Sequence, residues 1–296
     1  KAIEEGVHRG NPDAKVIVWD WGWPDDQSER IITQLPKSCW FMSVSEWSLP
    51  IERGGVASQI GEYSISAVGP GPRAQRHWAI ARQAGLRTVA KVQVNASWEM
   101  AVVPSVPALN LVAEHAKNLS SQHIQGIMLS WSLGGFPSEN LKLFQNFRSG
   151  DNVEDALHRL AVSEYGEEAA PTVREAWRLC SESYRQYPYH MVMLYKGPQH
   201  MGPSNPILSH PSGYNATMVG LPYDNLDGWR AVYPTDIWLQ QMDLCAQGFQ
   251  DGAQLLEKTR DGVSGQFRNA LDNEVRRMKT VYIHLKSGAE QGRFID

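Results

Sequence analysis

The sequence has few cysteines, little net charge and no long apolar run. Its three cysteines lack the spacing of a metal site, so we expect buried reduced thiols at Cys39, Cys180 and Cys245. The formal charge of −4, with basic residues scattered along 296 positions, argues against a nucleic-acid or anionic-membrane partner. No apolar run approaches the about 20 residues of a transmembrane helix, so we expect no membrane span.

Several catalytic and cofactor motifs are also missing. The sequence contains no H-x-H, H-E-x-x-H or paired-cysteine pattern, and we therefore predict no metal ion and no cofactor. It has no G-x-S-x-G turn, so serine hydrolysis has no support. The absence of a G-x-G-x-x-G phosphate loop disfavours a dinucleotide-binding fold.

Aromatic residues are abundant by contrast, with eleven tryptophans and ten tyrosines. Many tryptophans lie beside carboxylates or amides. A large indole exposed to solvent is unfavourable unless it has a role. The abundance of tryptophan therefore indicates either a large core or a cleft that stacks flat apolar faces.

The first 150 residues alternate between strand and helix patterns. Apolar β-branched runs predict strands at 14–21, 39–47, 86–95 and 124–131, with helices at 25–36, 74–85, 107–119 and 138–147. Residues 61–68 read as one further extended segment, before a Gly/Pro turn. This alternation favours a parallel sheet covered by helices, either part or all of a (β/α)8 barrel or, as a rival, a doubly wound open sheet.

The pattern changes after residue 150. Helical periodicity dominates residues 151–296, interrupted by a long loop at 187–234. We therefore predict an α/β fold in which residues 1–150 form a barrel portion containing its later strands. Residues 151–296 are predicted to form a C-terminal α-helical domain.

The predicted strand ends share a composition. Each carries tryptophan and three of the four carry a carboxylate, and the residues concerned are Trp19, Asp20, Trp21, Glu46, Trp47, Trp98, Glu99 and Trp131. In both candidate folds, functional residues lie at the carboxyl ends of parallel strands. We therefore expect these side chains to meet in one pocket.

Paired carboxylates beside indole rings are typical of glycosidase sites. One carboxyl group must stay protonated to donate a proton, and the other acts as nucleophile or base. We predict Glu46 and Glu99 as the catalytic pair, with a substrate-binding set of Asp20, Trp19, Trp21, Trp47, Asn95, Trp98, Trp131, Glu62 and Arg73. The alternative interpretation is that the acids form salt bridges with Arg53, Arg73 or Lys91 at the rim of the barrel.

The chain resembles a group of glycoside hydrolases. The strand ends VIVWDWGW, FMSVSEW, KVQVNASWE and GIMLSWSLGG, followed by ALHRLAVSEYGEEAAPTVREAWRLCSESYRQYP, are similar to the second half of a (β/α)8 enzyme with a C-terminal helical domain. The resemblance is to family 20-like hexosaminidases and related bacterial polysaccharide-degrading enzymes. It implies a carbohydrate substrate, and we expect an extracellular or periplasmic location.

The family 20 acid motif, H-x-G-G-D-E, is missing from this sequence. If the four strands are the fifth to eighth, the family's acid lies in an N-terminal half of the same protein that is not in this chain. If the enzyme instead resembles the large retaining clan, Glu99 matches the nucleophile position by strand order. Glu46 and Asp20 would then bind sugar or set a pKa.

Two other functions agree with the same residues. A non-catalytic carbohydrate-binding protein would use the tryptophans to stack on glycan and the carboxylates to bind hydroxyl groups. An interaction protein would use the aromatic surface as an interface.

Overall fold

The computed structural model shows a mixed α/β protein with a parallel sheet and a C-terminal helical region. The side chains of Trp98 and His200 are not described. The described residues are 2–95, 98–100, 103–130, 136–148, 150–200, 207–215, 220 and 222–296.

Four parallel strands form the main sheet: β1 (Ile17–Trp19), β2 (Trp40–Val44), β5 (Arg87–Val92) and β6 (Gly126–Leu129). Their order in space, β1-β2-β5-β6, follows their order in the chain. A doubly wound sheet reverses its strand order at a switch point, and these four strands show no such reversal. All four coincide with predicted strands.

Helices connect and flank these strands, and those after the first lie at the predicted places. They are α1 (Ala2–Gly10), α2 (Asp25–Thr33), α3 (Pro72–Gln83), α4 (Leu109–Ser120) and α5 (Glu139–Asn146). Pro72 begins α3, where its fixed φ suits the first turn and its missing N–H group costs nothing. The Ser138 side chain caps α5 by accepting a hydrogen bond from the Leu141 N–H.

One local prediction was wrong. Residues 61–68 form no strand, and the preceding segment instead folds as an antiparallel hairpin of β3 (Pro50–Arg53) and β4 (Val56–Gln59). The positive φ values of Gly54 (55°) and Gly55 (76°) allow the tight turn between them. Residues 61–71 therefore cross the carboxyl edge of the sheet as irregular backbone.

The C-terminal region is built on three long helices, α6 (Val153–Tyr184), α9 (Thr235–Thr259) and α10 (Gly265–Ile295). Gly166 has a non-helical φ of 82° and interrupts α6. The predicted 187–234 loop contains two short helices, α7 (Met191–Lys196) and α8 (Leu226–Arg230). Residues 187–234 therefore alternate between loop and short helix, whereas the sequence predicted a continuous loop.

A continuous apolar core extends from the sheet into the helical region. Among the described side chains, four tryptophans are fully buried, namely Trp78, Trp177, Trp229 and Trp238. Helix α4 joins the two regions, since the Asn110 N–H donates to Ser181 Oγ of α6 at 3.1 Å. Much of the tryptophan content therefore serves packing.

Three smaller features of the described residues concern the cysteines, the helices and possible metal ligands. Cys39, Cys180 and Cys245 are free and buried, as expected. Within the described residues, no helix is both long enough and apolar enough to cross a bilayer. The same residues contain no cluster of three or more His, Cys, Asp or Glu side chains with the geometry of a metal site.

Candidate active site at the carboxyl edge of the sheet

Glu46 lies two residues after β2 and is fully buried. Its Oε1 accepts a hydrogen bond from the Gln93 N–H at 2.8 Å, while Oε2 accepts none from any described residue. Burial raises the pKa of Glu46 to about 8, and the charge of Glu99 acts in the same direction. Glu46 is therefore mostly protonated at neutral pH.

Lys91 is on β5, where it pairs in register with Val44, two residues before Glu46. Its ammonium group is buried, and Nζ is 5.6 Å from the centroid of the Tyr63 ring. Burial lowers the pKa of Lys91 to about 8, and the Glu46 charge opposes this shift. The sequence analysis considered Lys91 only as a salt-bridge partner. A lysine within an apolar strand can nevertheless be recognised in the sequence as a candidate site residue.

Glu99 lies in a 3-10 turn, Trp98–Met100, and is also fully buried. Its Oε2 accepts a hydrogen bond from Ser64 Oγ at 2.6 Å, and Oε1 accepts one from the Ile65 N–H at 2.9 Å. Burial raises the pKa of Glu99 to about 7, less than for Glu46, because hydrogen bonds to both oxygens stabilise the ionised form.

His115 joins this group from α4, and the sequence analysis missed it. Its Nε2 is 2.7 Å from Ser45 Oγ, and its Nδ1 is 3.9 Å from Glu46 Oε1. Burial lowers the pKa of His115 to about 3, so the ring is neutral. A histidine on the apolar face of a helix gives no sequence signal that distinguishes it from a core residue.

Asp20 and Arg73, both predicted to bind substrate, contact each other. Arg73 Nη1 donates to Asp20 Oδ2 at 2.8 Å, and the same oxygen lies 2.8 Å from Ser43 Oγ and from His77 Nδ1. The Arg73 guanidinium also lies 4.4 Å from the ring centroid of Trp47. This is a rim salt bridge of the kind that the alternative interpretation predicted, but it involves neither Glu46 nor Glu99.

Glu62 is hydrogen-bonded to Tyr195 and Trp21, and Trp21 lies next to Trp19. The Tyr195 hydroxyl donates to Glu62 Oε1 at 2.6 Å, and Trp21, whose ring centroid is 6.0 Å from that of Trp19, is 46% exposed. Burial raises the pKa of Glu62, whereas the hydrogen bonds from Tyr195 and Trp21 act to lower it. Trp21 is therefore an indole that a ligand can reach.

Asn95 links two segments at the same edge. Its Nδ2 donates to the Phe136 carbonyl at 2.8 Å, and its Oδ1 accepts from Ser138 Oγ at 2.5 Å. The side chain of Trp98 and all of Trp131 lie outside the described residues, so their predicted roles remain predictions.

The predicted catalytic acids Glu46 and Glu99 follow neighbouring strands, and neither side chain is exposed to solvent. Both are covered by protein. A cavity of about 220 Å³ lies between α5 and α6, where Lys142, Arg159 and Glu164 line it. Substrate access to Glu46 therefore requires the residues that cover its Oε2 to move.

No protein-family model, no curated protein and no solved structure matches the chain. The resemblance to glycoside hydrolases therefore depends on the strand-end pattern alone. The chemistry of the site has to be inferred from its own residues.

Proposed function

We propose that the chain carries the active site of a glycoside hydrolase that acts on oligo- or polysaccharides through Glu46 and Glu99. One observation carries this proposal. Two buried carboxyl groups follow neighbouring parallel strands, interact electrostatically and have pKa values raised to about 8 and about 7. Carboxyl groups with distinct, raised pKa values are what acid and base roles at neutral pH require.

Glu46 is assigned as the general acid. Its raised pKa favours the protonated form, and Oε2 has no described hydrogen-bond partner, so this oxygen would donate a proton to a glycosidic oxygen once the residues that cover it move. The hydrogen bond from the Gln93 N–H holds the other oxygen in place. His115 Nδ1 lies 3.9 Å from Glu46 Oε1, and because its ring is neutral it adds no positive charge beside the carboxyl group.

Glu99 is assigned as the nucleophile or base. The hydrogen bonds from Ser64 and Ile65 favour its ionised form, and its pKa is the lower of the two. The Tyr187 hydroxyl donates to the backbone carbonyl of Glu99 at 3.0 Å and so fixes the turn that carries it. A carboxylate held this firmly loses little conformational freedom on attack.

Exposed Trp21 supplies the contact surface for a sugar ring. An indole face packs well against the apolar C–H face of a pyranose, and Glu62 holds the indole from below. The substrate would extend from Trp21 toward Glu46.

The proposed fold is the second half of a (β/α)8 barrel. The uniform strand direction and the order β1-β2-β5-β6 support this, since a barrel adds each new strand beside the last. The carboxyl edge that carries Glu46 and Glu99 is then the catalytic face.

Activity on a panel of aryl glycosides tests the proposal. The Glu46→Gln and Glu99→Gln variants should each lose kcat/KM by about 100-fold or more. Glu167→Gln, an exposed substitution on α6, should not change it. Circular dichroism checks that each variant is folded. Parent protein without turnover on any glycoside would refute the enzymatic proposal.

Non-catalytic sugar binding is the second candidate. It is favoured by the complete burial of Glu46 and Glu99 beside an exposed Trp21. If the parent protein binds an oligosaccharide without turnover and Trp21→Ala abolishes that binding, non-catalytic sugar binding is established. Binding by the parent that survives Trp21→Ala would argue against the stacking role.

A further inference from the structure

The cavity between α5 and α6 is separate from the candidate active site, since neither Glu46 nor Glu99 lines it. Its volume of about 220 Å³ is far larger than the about 30 Å³ that one water molecule occupies in the liquid. It is smaller than the about 300–1,000 Å³ of pockets that hold drug-sized ligands. The cavity therefore suits one small molecule.

The inner part of the cavity is apolar. Leu143 of α5 lines it together with Ala156 and Leu160, which lie one turn apart on α6, and all three side chains are buried. The side chains of Asn146 and Ser163 also line the cavity, and both residues are exposed. A ligand here would bury an apolar body and keep its polar groups near solvent.

Cations outnumber acids around this cavity. Lys142, Arg148 and Arg159 line it, whereas Glu164 is the one carboxylate among its described lining residues. Lys142 pairs with Glu164, and Arg159 Nη2 pairs with the neighbouring Asp151 at 2.5 Å. Each of these two acids therefore already has a cation, and the positive charge of the third cation remains uncompensated.

That third cation is Arg148, an exposed residue two positions after the end of α5. Its backbone N–H donates to Asp151 Oδ2 at 2.8 Å, and this hydrogen bond, with the charges of Arg159 and Arg148, lowers the pKa of Asp151. In the described part of the chain, no ion pair or side-chain hydrogen bond engages the Arg148 guanidinium. The backbone of Arg148 is thus held in place while its N–H donors are available to a ligand.

We infer that this cavity binds a small organic monoanion, whose carboxylate pairs with Arg148 and whose apolar body packs on Leu143, Ala156 and Leu160. A guanidinium group binds a carboxylate through two parallel hydrogen bonds. A single uncompensated cation favours a monoanion, because a dianion such as phosphate would keep one negative charge unpaired. The apolar inner part favours an organic ligand over an inorganic one. This inference goes beyond the proposed glycosidase activity and does not depend on it.

Titration of the ¹⁵N-labelled chain with benzoate, followed by amide chemical shifts, tests the inference. Benzoate should shift amides of residues 142–163 and bind with a Kd on the order of 1 mM, as expected for one ion pair and one apolar face. Benzamide has nearly the same shape without the charge, and inorganic phosphate has charge without an apolar body. Each should bind at least about tenfold more weakly than benzoate.

A pair of matched variants locates the binding site. Arg148→Gln should weaken benzoate binding at least about tenfold and should leave the fold intact, because its guanidinium has no described partner. Arg178→Gln is the control, since Arg178 lies on α6 outside the cavity and pairs with Glu175. This control variant should bind benzoate as the parent does.

Three results would overturn the inference. The first is that benzoate does not bind, and the second is that benzamide or phosphate binds as tightly as benzoate, so that charge or apolar contact has no role. The third is that Arg148→Gln binds benzoate as the parent does. None of these readouts involves turnover of a sugar, so a failure here leaves the glycosidase proposal standing, and the reverse also holds.

Discussion

Glu46 and Glu99 follow neighbouring strands, and the charge of Glu99 raises the pKa of Glu46. Their hydrogen bonds differ: both oxygens of Glu99 accept one, whereas Oε2 of Glu46 has no described partner. In the proposed mechanism, this asymmetry makes Glu46 the proton donor and Glu99 the group that reacts in its ionised form. It also makes the assignment testable by pH.

The pH dependence of glycoside hydrolysis should be bell-shaped and narrow. The proposed mechanism requires ionised Glu99 and protonated Glu46, so kcat/KM should rise near the pKa of about 7 and fall near the pKa of about 8. Initial rates from about pH 5 to about pH 9 would measure both limbs. A flat profile across this range would contradict the assignment of roles.

Stability should depend on pH through Glu46. Its pKa is raised from 4.5 to about 8 on folding, so its contribution to stability is full at low pH and is lost as the pH rises through about 8. Glu46→Gln removes this dependence and should be more stable than the parent above pH 8, by an amount on the order of several kcal/mol. Urea denaturation across the pH range measures the difference.

The exposed substitution Glu167→Gln serves as the control for that experiment and should follow the parent at every pH. If the free energy of unfolding of Glu46→Gln differed from that of the parent by the same amount at every pH, Glu46 would have the same pKa in the folded and unfolded states.

Arg73 should matter far more to stability than its neighbour Arg76. Arg73→Met leaves Asp20 buried without its cation and should cost about 3–5 kcal/mol. Arg76, 51% exposed, pairs with Asp25 at 3.3 Å, and Arg76→Met should cost less than about 1 kcal/mol. Chemical denaturation distinguishes them, and equal effects would show that the buried pair has no special importance.

Gly71 should be intolerant of a methyl group. Its N–H donates to the Ser45 carbonyl at 2.6 Å, and an added Cβ would lie 2.5 Å from the Trp47 carbonyl oxygen. Gly71→Ala should therefore destabilise by about 1–3 kcal/mol and displace the backbone around Glu46, which lowers activity.

Gly265 provides the matched control, because a Cβ there would meet nothing within 4 Å. Gly265→Ala, in the first turn of α10, should leave the melting temperature unchanged or raise it slightly. A Gly71→Ala protein as stable as the parent would show that this backbone contact is looser than the structure indicates.

The strands and long helices follow from local patterns in the sequence. Short apolar β-branched runs predicted the four parallel strands, and helical periodicity predicted α6, α9 and α10. The hairpin β3–β4 was missed because its strands are four residues each and half-exposed, so they lack a clear alternation. The position of Glu46 and Glu99 near one edge was predictable from strand order alone.

Only the tertiary structure decided which side chains interact. That Arg73 pairs with Asp20, and that Lys91 and His115 lie beside Glu46, depends on helices and loops far apart in the chain. The raised pKa values depend on burial, which many distant residues produce together and no short stretch encodes. Local periodicity therefore sets the elements and their order, whereas the protonation of the candidate acids arises from the packing of the folded chain.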